Sequence, residues 1–231
     1  MLILAFETSA KAASVALHDG SKLLGESYQN TGLTHSQTLM VMAEDMLKQC
    51  GFTPNDVTHV AVAAGPGSFT GVRIGVAAAK GFAWGAELPC YGVSTLEAMA
   101  KNAGIYEGVV CSAMDARRNQ VYNALFRAEK GKLCRLCADR AIALEDLKQE
   151  LEGPVYLVGD GAVLTYRTLA AELPNLILLP EHLQHQRAAG VALVAAEQIA
   201  AGVPADAEAL QPNYLRLSQA EREKLERENK P

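Results

Sequence analysis

Apolar positions along this chain change period several times, and each change marks an element. A continuous apolar run at residues 2 to 6, an alternation through Ala13, Val15 and Leu17, and a third segment beyond the Asp19-Gly20 turn predict strands over 2–7, 13–18 and 22–28. Between 35 and 50 the apolar residues are Leu39, Met40, Val41, Met42, Ala43, Met46 and Leu47. That arc is wider than one buried stripe, so this helix is expected to make a second contact. Gly51 ends it, and Thr53-Pro54 leads into the next strand. Val60, Val62 and Ala64 then run into Gly65-Pro66-Gly67, after which Ile74, Ala78 and Phe82 recur at helical spacing. That is strand, tight turn, helix. A short strand at 90–93 precedes a helix opening at Ser94, with Glu97 three residues on as in a capping box.

A second series begins near 109. It predicts strands over 109–114, 120–127 and 132–140, a helix over 144–151, a strand over 155–158 ending in Gly159-Asp160-Gly161, and a helix over 162–171. Three strands, helix, strand, helix has then occurred twice, which points to a duplicated α/β unit with lobes at 1–104 and 105–231. An alanine-rich helix over 188–201, stopped by Gly202-Val203-Pro204, is a candidate to pack back on the first lobe. The last stretch, 216–231, has five basic and four acidic residues and is expected to be a solvated helix or a frayed end.

Composition narrows the function more than the fold. The 231 residues are 49% hydrophobic and 20% charged, the balance of a globular protein with a sizeable core. Twenty-one basic residues against 26 acidic ones give a net charge of −5, so the surface as a whole does not attract phosphate backbones, and contact with nucleic acid would need a partner. Cysteines at 50, 90, 111, 134 and 137 form no disulfide framework, and the first strand begins without a basic or cleavable leader, so a reducing, cytoplasmic setting is expected. Gly71, Gly75 and Ala79 strip one helix face of side chains, but Arg73 and Lys80 interrupt the run and no membrane span is expected.

Candidate chemistry is sparse. The Gly65–Gly67 junction can aim backbone N–H groups at an anion or a docking partner, or serve only to bring helix and strand together. Glu7-Thr8-Ser9 stands where open α/β sheets bind ligands, and equally suits an ordinary hairpin turn. Cys134-Arg135-Leu136-Cys137 is half of a zinc site without its second half, His182 and His185 look like surface residues of a polar loop, and Ser68 has no partner base at a telling spacing. No catalytic set emerges.

The run from Gly65 to Gly75, with Ala79-Lys80-Gly81 after it, closely resembles the signature of the bacterial TsaB (YeaZ) family. Glu7-Thr8-Ser9, the segment 92–96, Asp115-Ala116-Arg117-Arg118 with Val121-Tyr122, and Pro212 with Tyr214-Leu215-Arg216 resemble further family motifs. The resemblance implies an actin-like, sugar-kinase-like ATPase fold (ribonuclease H-like) of two duplicated lobes. It also implies a part in making N6-threonylcarbamoyladenosine in tRNA, as a degenerate paralogue of the transferase TsaD. TsaD-like chains carry a His-x-x-x-His metal pair where this chain has Thr95 and Met99, neither a good hard-metal ligand, so no catalysis by the isolated chain is expected. Any nucleotide site, over Glu7, Thr8, Ser9, Asp115, Gly159 and Gly161, is expected to be vestigial. No cofactor is expected on this chain, with ATP used by the complex.

The implied partners are a TsaD-like transferase, a TsaE-like ATPase and, through the complex, tRNA. A partner surface is expected on the first-lobe helices at Leu39, Met42, Met46, Gly71, Ile74, Gly75 and Ala79, and the same patch could pair two copies into a homodimer. The alternative reading is an ATP-dependent small-molecule phosphotransferase of the same fold, using Glu7 near magnesium and the Gly159–Gly161 turn near adenosine.

Overall fold

The computed structural model describes residues 1–104, 106–205 and 207–216. The tail expected to be a helix or a frayed end lies outside them from residue 217 on. The chain forms two sheets. In the first, β1 (Ile3–Glu7), β2 (Ala13–His18) and β3 (Leu23–Gln29) make an antiparallel meander, and β4 (His59–Gly65) and β5 (Cys90–Ser94) add in parallel, giving the order β3-β2-β1-β4-β5. Every residue of β1 is buried, because each face of the sheet has its own cover. On one face Leu4, Phe6 and Val62 meet α1 (His35–Gln49) and α2 (Phe69–Gly85). On the other, Ile3, Ala5, Ala61 and Ala63 meet α7 (Ala188–Ala200), the late helix of the chain. Alanines dominate that second face, and Gly190 sits so close to the Ala98 backbone that a side chain would collide with it.

The second sheet runs β11-β10-β6-β7-β8, built from β6 (Gly108–Asp115), β7 (Gln120–Glu129), β8 (Lys132–Arg135), β10 (Val155–Val158) and β11 (Leu176–Leu178). The strand expected over 132–140 is in fact two. β8 pairs with the far end of β7 and β9 (Arg140–Ala143) with its near end. Between them the Cys137 Sγ accepts the Leu125 N–H at 3.2 Å, standing in for the missing ladder bond. β11 was not expected, since three residues are too few to establish a period. Short helices α4 (Leu144–Lys148), α5 (Ala162–Leu169) and α6 (Glu181–Gln184) complete this lobe.

Helix α3 (Thr95–Ala100) stands between the sheets, and its Leu96, Met99 and Ala100 share one apolar cluster with Val110, Phe126 and Val158 of the second. Half of its capping box forms. The Ser94 hydroxyl accepts the Glu97 N–H, but the Glu97 carboxylate turns instead to Arg135 at 2.7 Å. Among the described residues no helix is long and apolar enough to cross a membrane.

Candidate functional site: the cleft between the sheets

Five segments meet where the sheets face each other: the turn after β1, the β4–α2 loop, the β6–β7 turn, the turn after β10, and residues 207–216. They enclose a cleft of about 740 Å³. The first two segments are fastened together. The Thr8 hydroxyl donates to the Gly71 carbonyl at 2.8 Å, and the Ser68 N–H donates to the Ser9 carbonyl at 2.7 Å. The glycines of the loop exist for this approach. A Cβ on Gly67 would lie 2.5 Å from the Ser9 oxygen, and one on Gly71 or Gly75 would collide with Thr8. Of the two roles open to the junction, close packing is thus accounted for. Ser68 caps α2 by accepting the Gly71 N–H.

Glu7 lies behind this turn with no exposed surface. One carboxyl oxygen accepts the Ser9 N–H at 2.5 Å and the other finds no hydrogen-bond partner among the described residues. Burial, helped by the nearby charge of Asp160, pushes its pKa up to about 7 against the lowering bonds from Ser9. Asp160, from the turn after β10, is also raised by burial and accepts the Gln186 amide at 2.9 Å. The β6–β7 turn is unusual, because Arg117, Arg118 and Asn119 all adopt left-handed φ, at 67°, 57° and 55°. Asp115 steadies it by accepting the Arg117 N–H at 2.7 Å.

Of the six residues expected to mark a nucleotide site, Ser9 and Asp115 line the cleft. Glu7 and Thr8 are sealed behind it, and Gly159 and Gly161 pack against the Ala113 and Met114 backbone of their own lobe. A magnesium nucleotide needs accessible, charged carboxylates: Glu7, buried and with a raised pKa, does not offer one, whereas Asp115 and Asp160 stand exposed at the cleft. Lys11, Arg117, Asp160, Gln186 and Arg216, none of them singled out from sequence as cleft residues, complete the lining. Arg216 and Arg117 had a signal in the family-like motifs that contain them, while Gln186 had none.

The helix positions expected to face a partner need correction. Leu39, Met42 and Met46 are buried against the first sheet, and Gly71, Gly75 and Ala79 are buried where α2 meets Thr8 and Val62. Ile74 alone of the seven is half-exposed. The wide apolar arc of α1 and the small-residue face of α2 are therefore core. What these helices present outward is Met40, Val41 and Trp84, at 42%, 56% and 86% exposure.

Other candidates resolve simply. Cys134 is exposed while Cys137 turns inward to Leu125, so the CxxC does not act as a unit. His182 is exposed on α6, and His185 reaches Glu181 at 3.4 Å and borders the cleft. Thr95 and Met99 are fully buried, the first with its hydroxyl unpartnered among the described residues and the second in the apolar cluster around α3. Among the described residues no group of three or more His, Cys, Asp or Glu side chains is placed to hold a metal ion.

Comparison with known proteins follows this geometry closely. Residues 29–224 match the family model described as TsaD, tRNA N6-adenosine threonylcarbamoyltransferase. The tRNA threonylcarbamoyladenosine biosynthesis protein TsaB of Bacillus subtilis is 34% identical, the match covering 98% of this chain and 99% of that protein. The protein of the same name from Escherichia coli is also 34% identical, over 94% and 95% of the two chains. The solved structure of YeaZ from Pseudomonas aeruginosa superposes with a TM-score of 0.77 at 26% identity, over 93% of this chain and 99% of that one. The two-sheet architecture is the actin-like, sugar-kinase-like one. With its glycine signature packed on the β1 turn and a match of nearly full length to these relatives, the chain belongs to the TsaB (YeaZ) family.

Proposed function

We propose that this protein is a non-catalytic subunit of the machinery that makes N6-threonylcarbamoyladenosine in tRNA, and that it binds and activates a TsaD-like transferase in the cytoplasm. The observation that carries this reading is the end-to-end similarity to proteins named for that biosynthesis. The site chemistry supports the non-catalytic part. Thr95 and Met99 are buried, among the described residues no group of three or more His, Cys, Asp or Glu is placed to hold a metal ion, and Glu7 is sealed from the cleft, which favours binding over Lewis-acid or phosphoryl-transfer chemistry in this reading.

The partner surface in this reading is the outer side of α1 and α2 rather than the buried positions named from sequence. Met40, Val41 and Trp84 are large, apolar and open there, and an exposed tryptophan is the commonest kind of interface anchor. Two helices of this chain laid on two of a TsaD-like lobe make a pseudo-symmetric pairing, and in the absence of that partner the same face pairs two copies. A TsaE-like ATPase and tRNA join through the complex, consistent with a chain of net charge −5. ATP is consumed by the complex rather than held here.

The test is reconstitution with the TsaD-like protein of the same cell, a TsaE-like ATPase, donor and tRNA. Modification that needs this chain supports the reading, whereas modification by this chain with donor and tRNA alone refutes it.

A further inference from the structure

Residues 207–216 form no helix or strand, yet they are fastened at both ends, and to different lobes. At the first lobe, Lys80 donates its ammonium to the Glu208 and Leu210 carbonyls at 3.2 and 3.1 Å. Leu210 enters the first core, its Cδ1 lying 2.5 Å from where a Gly92 Cβ would stand. The Asn213 N–H donates to the Ala64 carbonyl at 2.6 Å, and the Asn213 oxygen lies 2.6 Å from where a Gly65 Cβ would stand, at a φ of +111°. Three features of the sequence signature, Gly65, Lys80 and Gly92, thus have one task in common. They seat this strap.

Tyr214, still on the first lobe, stacks on Phe69 of α2 with ring centroids 4.4 Å apart and accepts the Arg73 Nε–H at 2.6 Å, which brings the strap to the cleft mouth. At the second lobe the hold is of another kind. Leu215 then packs on the second-lobe cluster. Arg216 donates to the Ala116 carbonyl at 2.7 Å, with its guanidinium 5.8 Å over the Tyr122 ring. Ala116 and Tyr122 line the cleft, as does Arg216 itself. The contrast between the ends is one of burial. Leu210 is buried in the first core, whereas Leu215 and Arg216 are only half-buried on the second.

We propose that residues 207–216 are a latch that holds the two lobes closed, fixed to the first lobe at Leu210 and Asn213 and released from the second at Leu215 and Arg216. An arginine bonded to a neutral carbonyl and stacked on one ring is held more loosely than a leucine sunk in a core beside two lysine-bound carbonyls. Release therefore starts at Arg216. With that end free, the segments joined across the cleft only by side-chain contacts separate, and the site widens without either sheet unfolding. The proposal stands apart from the partner role.

The test compares the full-length chain with Arg216→Ala and Leu215→Ala variants by small-angle scattering and amide exchange. The informative amides are 159–161 and 184–187, which lie at the cleft and not on the strap: the Gly159 N–H goes to the Gln184 carbonyl and the Gly161 N–H to the Ala113 carbonyl, while the Gln186 side chain reaches Asp160. A latch predicts a larger radius of gyration and at least tenfold faster exchange in those segments for Arg216→Ala, with exchange inside β1 and β6 unchanged. Arg216→Lys, which keeps a donor, restores most of the closure. Unchanged scattering and exchange in Arg216→Ala overturn the proposal. So does faster exchange spread evenly through both sheets, which marks a loss of global stability. Should Arg216→Ala fail to fold, Leu215→Ala, which keeps the Arg216 bond and trims only the apolar contact on the second lobe, supplies the second reading: the same widening supports the latch, and unchanged scattering and exchange overturn it.

Discussion

The cleft is bordered by polar groups, whereas the outer sides of α1 and α2 carry exposed apolar ones. Glu7 behind the cleft, Gln186 in its lining and Thr95 on α3 each bury a side-chain oxygen with no hydrogen-bond partner among the described residues, and each such atom is an energetic liability. Glu7 and Thr95 have no exposed surface, so a substrate in the cleft does not touch them. Met40, Val41 and Trp84 are the reverse: costless to leave open in an isolated chain, and positioned to gain from burial against a neighbour. The open apolar surface is what the proposed binding role would use.

The strongest way to break that contrast is to place charge on the inner rather than the outer face of the same helices. Met42→Lys and Gly75→Asp each bury a charge where α1 and α2 meet the first sheet, and each is expected to cost at least about 4 kcal/mol and collapse the thermal melt. Survival of either variant with an unchanged midpoint would show that these positions are not core.

The next largest effect concerns Glu7. Its carboxyl titrates near 7 in the fold against 4.5 ordinarily, so the folded protein favours the neutral form. The stability this gives is complete below 4.5 and is lost as pH rises through about 7, a decline of up to about 3 kcal/mol across that window. Glu7→Gln, neutral at every pH, should flatten the decline. Denaturant melts at pH 5 and pH 8 measure it, and equal slopes for both proteins would remove Glu7 from the account.

On the outer face, Trp84→Ala should leave the melt in place and weaken a TsaD-like partner by about 2 kcal/mol, roughly thirtyfold in affinity. Undiminished binding by calorimetry moves the interface elsewhere. The smallest change sharpens the boundary between the two regions. Ser68→Ala removes the cap of α2 and should lower stability by about 1 kcal/mol, with partner affinity unaffected.

Much of the first lobe was legible because its elements are long and its punctuation strong. The helix of 35–49 and the Gly65–Gly67 turn announced themselves by period and by glycine. The reading failed where a signal had two physical sources. A wide apolar arc on α1 and a small-residue face on α2 mean either a partner or a close internal neighbour, and only the position of Thr8 behind Gly71 and Gly75 decides between them. In the second lobe, β8 and β9 divide one partner strand between them around Cys137, a long-range arrangement that local periodicity does not record. The cleft was half legible: Ser9 and Asp115 stood in recognisable motifs, but Asp160 and Gln186 meet only through tertiary structure.

The most direct test of a binding subunit is titration of the purified chain into its TsaD-like partner, with threonylcarbamoyl transfer to tRNA followed in the same samples. The account predicts saturable association that Trp84→Ala weakens and Ser68→Ala does not, and transfer that appears only when both proteins are present. Transfer by the chain without that partner, or full transfer by the partner without the chain, would contradict it.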